Sequence, residues 1–236
     1  MRCHVVYYAY VGLEIDDDVA NERLKYIGEQ LHWIEKNKGS NFGCTYLVAC
    51  GNSIYFSKIR DLANSYGFIF LDAFFSIENN FEYPGIYACT QLPYVLPEDD
   101  LVLYCHAKGV ANPGPRQMGN FKFHLRLLLS NCSVECFDDP QIVIAGVFPS
   151  DSGFIWYNYF IARASYLKDR PVAKSPNRHY YESWVRDEKR GISVVKSLFK
   201  RNYLNLHLLE RKHYTPEELN QNGYIKLAYE IFSDIQ

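Results

Sequence analysis

Apolar and polar positions at the start of the chain change from a strand-like to a helix-like pattern. Residues 3–10 are mostly β-branched and aromatic, which predicts a first strand. The apolar residues that follow recur at steps of three and four, the helical period, and they are Ala20, Leu24, Ile27, Leu31 and Ile34. The aspartates at 16–18 precede them and suit the positive end of a helix dipole. The chain is therefore predicted to begin with a strand and a helix.

The same alternation continues to residue 105. Short apolar runs at 46–50, 68–71 and 101–105 are predicted strands, and the segments 53–66 and 86–96 are predicted helices. The run at 101–105 is apolar on both faces, which is typical of the centre of a parallel sheet. This order predicts an α/β domain with right-handed crossovers.

The second half of the chain is less regular. A loop with glycines and prolines at 109–119 leads into a predicted helix around 121–129 and a predicted strand at 142–148. An aromatic-rich stretch at 153–166, a helical segment at 180–187 and a two-part terminal helix at 215–236 are expected to follow. We expect residues 1–190 to form one domain and residues 191–236 to be an extension that packs on it.

Composition and charge narrow the class of protein. The chain has 236 residues, with 25 Lys and Arg against 27 Asp and Glu, whereas a dedicated nucleic-acid binder normally has a basic footprint. Seven cysteines, an odd number without a CxxC pair, favour a reducing compartment. There is no signal-peptide pattern and no apolar run near 18 residues. We expect a cytoplasmic protein (in the host cytoplasm if the source is viral) with no nucleic-acid partner.

The candidate chemistry is strongest directly after the strand at 101–105. Ligands in open α/β sheets bind beyond the carboxyl ends of the strands. Alternation places His106 and Lys108 on one side of the strand exit, and Gly109 allows the backbone to turn sharply. An imidazole and an ammonium group there can hold an anion such as a diphosphate. The alternative is that His106 caps a strand and Lys108 is solvated.

Three motifs resemble those of one family of glycosyltransferases. LVLYCHAKGV at 101–110 resembles the Y-x-H-x-K-G-V signature of enzymes encoded in bacterial capsule and cell-wall polysaccharide clusters and by large algal viruses. AGVF at 145–148, GFIWY at 153–157 and ARASY at 162–166 are together similar to the family's aromatic block. HYYESWV at 179–185 resembles its R-Y-x-x-E-x-W helix. The motifs cover about residues 101–187 in the family's order, and the first hundred residues match in fold pattern alone.

The resemblance implies a fold and a reaction. The fold is GT-A-like (Rossmann-like), with a mostly parallel central sheet flanked by helices and a basic, helical C-terminal extension. The reaction is transfer of a sugar from a nucleotide-diphosphate sugar, with a UDP-sugar favoured, to a glycan hydroxyl in polysaccharide or glycoprotein glycan synthesis. A non-catalytic glycan- or nucleotide-binding scaffold is the alternative.

The resemblance also implies roles for individual residues. His106, Lys108 and Gly109 would face the donor phosphates. Glu182 would occupy the place of the catalytic base of many inverting GT-A enzymes, where a carboxylate takes the proton from the acceptor hydroxyl. Asp151, in the loop before the aromatic block, is the rival base. Inversion at the anomeric carbon follows from the assignment of Glu182.

Metal use stays open. The H-x-K letters stand where GT-A enzymes usually carry a D-x-D motif, which binds Mg²⁺ or Mn²⁺ and neutralises the leaving diphosphate. The D-x-D letters at 16–18 lie at a predicted helix start, where capping is expected. Asp72, after the strand at 68–71, and Asp99-Asp100, before the strand at 101–105, are further carboxylates that a metal could use, and either could be a turn residue instead.

Several aromatic residues are candidates for stacking on a ligand. Tyr8 and Tyr10 leave the first strand where, by analogy, the nucleotide would lie, and a base stacked on either would contribute about 1–3 kcal/mol. Trp156 and Tyr157, with Arg163, are a candidate sugar platform for the acceptor. Ordinary core packing of large residues explains the same letters.

A basic stretch at 189–213 carries seven lysines and arginines and one glutamate. Three interpretations stay open for it: a solvated face, a lid that supplies a cation to the diphosphate, or a surface that docks on an anionic membrane bearing a lipid-linked acceptor. The nucleotide sugar and the glycan acceptor are the expected partners, and the oligomeric state is left open.

Overall fold

The structure of the protein is a computed structural model, and it describes residues 1–107, 109–150, 152–168, 170–177 and 179–198. The strands of this part of the chain are β1 (Cys3–Gly12), β2 (Phe42–Gly51), β3 (Ile69–Phe70), β4 (Leu101–His106), β5 (Ile144–Gly146), β6 (Phe160–Arg163) and β7 (Val195–Ser197). The helices are α1 (Asp17–Asn37), α2 (Phe56–Ser65), α3 (Tyr83–Gln91), α4 (Pro115–Leu128), α5 (Asn131–Glu135), α6 (Ala164–Leu167) and α7 (Tyr180–Ser183).

The strands form one sheet in the order β3-β2-β1-β4-β6-β5-β7. β1 to β4 are parallel, β7 is parallel to β5, and β6 is antiparallel to both of its neighbours. Helices pack on both faces, with α1, α2 and α4 on one and α3 on the other. The expected α/β class, with a mostly parallel sheet flanked by helices, is confirmed.

The strand order reverses beside β1. The chain runs outward from β1 through β2 to β3 and then crosses back to place β4 on the other side of β1. Connections that leave in opposite directions open a crevice at the carboxyl ends of the two strands, which is where α/β sheets bind ligands. The fold therefore directs attention to residues 8–12 and 106–107.

Helix α1 begins as the pattern predicts. Asp16 is its N-cap, and its side chain accepts a hydrogen bond of 2.8 Å from the Val19 amide. Asp17 and Asp18 fall in the first turn, at the positive end of the dipole. The capping interpretation of the D-x-D letters at 16–18 is confirmed.

Helix α3 lies directly on the sheet because it carries a glycine. A Cβ atom at Gly85 would lie 2.6 Å from Cβ of Tyr8 and 3.0 Å from the ring of Tyr104. No side chain fits there without displacing the helix. Gly85 thus sets how closely the first turn of α3 approaches the carboxyl ends of β1 and β4.

The amino ends of β1 and β4 are joined by a buried pair. His4 Nε2 lies 3.0 Å from Asp100 Oδ2, and Asp100 Oδ1 accepts a bond of 2.8 Å from the Arg2 amide. His4 Nδ1 accepts from the Cys44 amide, so the proton of a neutral ring lies on Nε2, facing Asp100. Asp100 therefore stabilises the sheet at the amino ends of these strands, opposite the crevice. A metal role for it at the donor site is not supported.

Several predicted boundaries differ from the structure. The strand expected at 142–148 is the shorter β5, and the helix expected at 180–187 is the single turn α7. The aromatic stretch at 153–166 contains β6, which was not predicted. Residues 195–197, in the expected extension, pair with β5 as β7. The terminal helix at 215–236 and most of the basic stretch lie outside the described residues.

Within the described ranges, no helix combines the length and the apolar character that crossing a bilayer requires.

Candidate functional site

A cleft of about 320 Å³ lies at the carboxyl ends of β1 and β4. This volume falls at the lower end of the range typical of small-molecule sites, roughly 300–1,000 Å³. The cleft is lined by Tyr8, Tyr10, Asn79, Phe81, Glu82, His106 and Ala107. It coincides with the crevice that the strand order opens.

Strand register brings the floor of the cleft together. Tyr8 on β1 is the pairing partner of His106 on β4, so their side chains emerge on the same face. The Ala107 amide extends the pairing with a bond of 2.8 Å to the Tyr8 carbonyl. Tyr10, two residues further along β1, is half-buried on the same face.

The opposite wall is the segment that leads into α3. Phe81 has a left-handed backbone (φ 51°), and its carbonyl accepts a bond of 2.5 Å from the Tyr8 hydroxyl. This bond ties the wall to β1, and the next residue, Glu82, also lines the cleft. The wall is therefore held in place by the floor.

Among the described residues that line the cleft, Glu82 supplies the carboxylate. Its Oε2 atom accepts hydrogen bonds from the Tyr104 hydroxyl, at 3.2 Å, and from the Asn158 amide. The same atom lies 3.6 Å from Nδ1 of His106, and both side chains are 22% exposed. An acid and an imidazole thus face each other at the edge of the cleft.

Aromatic stacking holds the imidazole of His106. Its ring stacks on Tyr159 with centroids 4.8 Å apart, and the Tyr159 hydroxyl donates to the His106 carbonyl at 2.7 Å. His124 stacks on the other side of Tyr159, with rings 5.3 Å apart. Burial raises the pKa of the Tyr159 hydroxyl well above its usual value, so this phenol stays neutral.

The structure brings together part of the predicted donor site. Tyr8, Tyr10 and His106 line the cleft, whereas Lys108 lies outside the described residues. Gly109 does not line the cleft; it turns the chain with φ at +79°, and a Cβ there would lie 2.3 Å from Cβ of Gln117. Its role in the structure is to let the chain leave β4 against α4.

Asp72 is not among the cleft residues. Its side chain is exposed and accepts a bond of 2.8 Å from the Ala73 amide, at the start of a 3₁₀ turn over Asp72–Phe74. Among the described residues, no group of three or more His, Cys, Asp and Glu is arranged to hold a metal ion.

Of the two predicted bases, Asp151 lies outside the described residues and Glu182 lies on α7. The Glu182 side chain is 15% exposed, and its Oε1 atom is 3.7 Å from Nδ1 of His179. Its helix, α7, packs on the turn Trp156–Asn158, and Asn158 in turn bonds Glu82. Glu182 is near this network without lining the cleft.

The predicted sugar platform is not assembled at the cleft. Trp156 packs edge-on against Phe154 at 4.7 Å, and Tyr157 lies against His124 at 4.8 Å, so both are half-buried in the core. Arg163 pairs with Leu101 at the amino end of β4, at the end of the strands opposite the cleft. Its guanidinium group bonds the carbonyls of Ile142, Phe137 and Asp139.

Sequence reasoning missed Glu82 and the short segment before it. Ligand-binding residues in α/β sheets are expected directly after strands, and Glu82 instead precedes a helix. The available signal was Tyr83-Pro84, which marks a helix start and places an acid at its positive end. That signal says nothing about a cleft, so the tertiary structure was needed.

Comparison with known proteins gives weak likenesses. No protein-family model matches the chain, and no curated protein sequence matches it. A cytidylyltransferase from Leptospira borgpetersenii serovar Hardjo-bovis is 12% identical, with all of this chain and 97% of that chain covered and a TM-score of 0.47. A CMP:2-keto-3-deoxy-manno-octonic acid synthetase solved with CTP is 9% identical over 78% of this chain and 83% of that chain, with a TM-score of 0.42.

A 4-diphosphocytidyl-2C-methyl-D-erythritol synthase is 12% identical over 94% of this chain and 98% of that chain, with a TM-score of 0.41. At TM-scores below 0.5 the likenesses assign neither a family nor an activity to this chain.

Proposed function

We propose that the protein is a glycosyltransferase that moves a sugar, hexosyl or deoxyhexosyl, from a nucleotide-diphosphate sugar to a glycan hydroxyl. The observation that carries the proposal is the cleft at the strand-order reversal, where two tyrosines and the histidine of the H-x-K motif converge. The three motifs that resemble the Y-x-H-x-K-G glycosyltransferases support the same reaction.

The nucleotide occupies the side of the cleft formed by β1. Tyr10 is half-buried and exposes part of its ring, so a base can stack on it, whereas Tyr8 is nearly buried and bonded to Phe81. Stacking on an aromatic ring contributes about 1–3 kcal/mol and tolerates different bases. A UDP-sugar is the first donor to test.

The diphosphate lies at the exit of β4. His106 contributes a hydrogen-bond donor there, and Lys108, two residues later, is proposed to add a second cation. Fixed positive groups that meet the charge developing on a leaving group lower the barrier of the transfer step. They take the place that a metal ion fills where a D-x-D motif is present, and donor binding with and without Mn²⁺ tests that substitution.

Glu182 is proposed as the base. Its carboxylate takes the proton from the acceptor hydroxyl as that oxygen attacks the anomeric carbon, and the diphosphate leaves from the opposite face with inversion. The packing of α7 against the turn that bonds Glu82 supports a position near the reacting atoms. Asp151 is the alternative base.

A donor screen tests the proposal. Thermal stabilisation and sugar release are measured with UDP-, GDP- and dTDP-sugars, with and without Mn²⁺, and with CTP as a separate arm. We expect one class of nucleotide sugar to stabilise the protein and to be hydrolysed slowly. A scaffold would bind without turnover, and release of pyrophosphate from CTP with a free sugar would contradict sugar transfer.

A further inference from the structure

We infer that Glu82 is a positioning residue for His106: it holds the imidazole as a cation with Nδ1 turned towards the carboxylate, so that Nε2–H is presented to the donor diphosphate. This inference rests on the proposed function for the identity of the anion. The contact between Glu82 and His106 is observed in the structure and does not depend on that proposal.

The geometry fixes both partners. Glu82 Oε2 is 3.6 Å from His106 Nδ1, longer than a hydrogen bond and within the range of an ion pair. Tyr104 and Asn158 donate to the same oxygen, and Tyr159 stacks on the imidazole from the other side. Neither side chain can turn away without breaking these contacts.

The charges around the imidazole favour its protonated form. Among the described residues, the titratable groups that face His106 include Glu82, Tyr8, Tyr104 and Tyr159, while His124 lies behind Tyr159. Burial raises the pKa of all three of these tyrosines well above the usual value, so they are neutral near pH 7. Of the four groups, Glu82 is the one that carries charge, and a carboxylate within about 4–6 Å favours an imidazolium.

The hydrogen bonds to Glu82 suit it to this role better than to proton transfer. Two donors, Tyr104 and Asn158, stabilise the ionised carboxylate, and a stabilised carboxylate is a weak base. Glu82 therefore supplies a fixed negative charge, and the acceptor's proton goes to a different carboxylate. This separates the two acids of the site by function.

The pair acts on the leaving group. The bond between the anomeric carbon and the diphosphate oxygen breaks, and its electron pair stays on the diphosphate. The acceptor oxygen forms the new bond and gives its proton to the base. The added negative charge on the diphosphate is met by the Nε2–H of His106, which keeps its proton throughout because Glu82 stabilises the cation.

The test follows the protonation of His106 in the full chain. The Hε1 signal of His106 is titrated by NMR in wild type, E82Q, E82D and E78Q, with H106A used to assign the signal. We expect E82Q to move the midpoint about one pH unit lower, since an opposite charge is removed. E82D restores most of the shift, and E78Q, which changes an exposed carboxylate outside the cleft, leaves it unchanged.

Binding of UDP-glucose is measured on the same variants from pH 5.5 to 8.5 by calorimetry. This probe is suitable because its diphosphate is esterified at both ends and does not titrate in this range. We expect the pH above which affinity is lost to fall in E82Q, with affinity about tenfold weaker at pH 7.5. Equal weakening at every pH, or an unchanged NMR midpoint in E82Q, overturns the inference.

The two arms separate this inference from the proposed function. If the NMR midpoint shifts as expected and no nucleotide sugar binds, Glu82 positions His106 and the proposed donor is wrong. If UDP-glucose binds and the midpoint is unchanged, the donor site stands and the role of Glu82 is wrong. Circular dichroism of E82Q and E82D confirms that both variants fold, and E82A, which also removes the charge, replaces E82Q in both arms should E82Q not fold.

Discussion

Two of the side chains that line the cleft are held in place by neutral contacts. Tyr8 is fixed by the Phe81 carbonyl, and His106 by the ring of Tyr159. Such contacts set orientation without using the groups that would bind an anion. The residues that carry the chemistry are therefore positioned before a ligand arrives.

The role of Glu182 is tested by E182Q. If Glu182 is the base, the amide removes proton acceptance and lowers turnover by about 10²-fold or more, while affinity for the donor stays within twofold. The matched control is E188Q, which removes an exposed carboxylate six residues later in the same region. Turnover of E182Q at the rate of E188Q would remove Glu182 from the mechanism.

The cysteines are expected to differ in reactivity. Cys44 and Cys132 are exposed, whereas burial raises the pKa of the Cys136 thiol to about 12 and the pKa values of the buried thiols above their usual range. Because the thiolate is the reactive form, a disulfide reagent at pH 8 should label two of the seven cysteines quickly in the native protein. Mass spectrometry that finds rapid labelling of Cys3, Cys89 or Cys105 would contradict the fold.

At the scale of elements, the approach of α3 to the sheet shapes the cleft. Gly85 lets the first turn of α3 lie against Tyr8, and Glu82 stands at the start of that turn. Any change that lifts α3 moves Glu82 away from His106. A substitution that displaces α3 is therefore expected to change the shape of the cleft as well.

Gly85 and Gly119 provide a matched pair of substitutions. G85A places a methyl group 2.6 Å from Cβ of Tyr8, so we expect it to lower the free energy of unfolding by about 1–3 kcal/mol. G119A, on the exposed face of α4, meets nothing within 4 Å and should raise that free energy by about 0.5–1 kcal/mol. Urea unfolding measures both, and shifts of the same sign would contradict the packing described for α3.

The elements also show where the sequence was informative. Helix α1 was predicted from apolar residues that keep the helical period over several turns, and strands β1, β2 and β4 were predicted from apolar and β-branched runs. β6 was missed because four residues within an aromatic stretch carry no period that separates a strand from a turn. His106, Tyr8 and Tyr10 could be proposed from their places towards the carboxyl ends of strands, whereas Glu82 reaches the cleft through tertiary packing, which no local pattern records.

At the scale of the whole molecule, the order of strands determines where chemistry is possible. The reversal beside β1 opens a crevice at the carboxyl ends of β1 and β4, and the buried His4–Asp100 pair joins the same two strands at their amino ends. Arg163 lies at the amino end of β4, which explains why it does not reach the cleft, although ARASY at 162–166 resembles part of the glycosyltransferases' aromatic block. Residues of motifs that are close in the sequence therefore need not lie at the same site in the fold.

The basic stretch belongs to this scale as well. Its first residues lead into β7, at the far side of the sheet from β3, and the remainder lies outside the described residues. A lid over the diphosphate and a membrane-docking surface remain proposals for it. Donor affinity measured with and without anionic vesicles separates the two, because a lid needs no lipid.

The most direct measurement of the central claim is a calorimetric titration of UDP, and then of GDP, into the wild type, H106A, Y10A and the control Y94A, which changes an exposed tyrosine that does not line the cleft. If the cleft between β1 and β4 holds a nucleotide diphosphate, H106A and Y10A each weaken the affinity by about tenfold or more, through a lost charged hydrogen bond and a lost stacking contact. Y94A should bind as the wild type does. Equal affinity in all four proteins, or no binding of UDP or GDP to the wild type, would contradict the account.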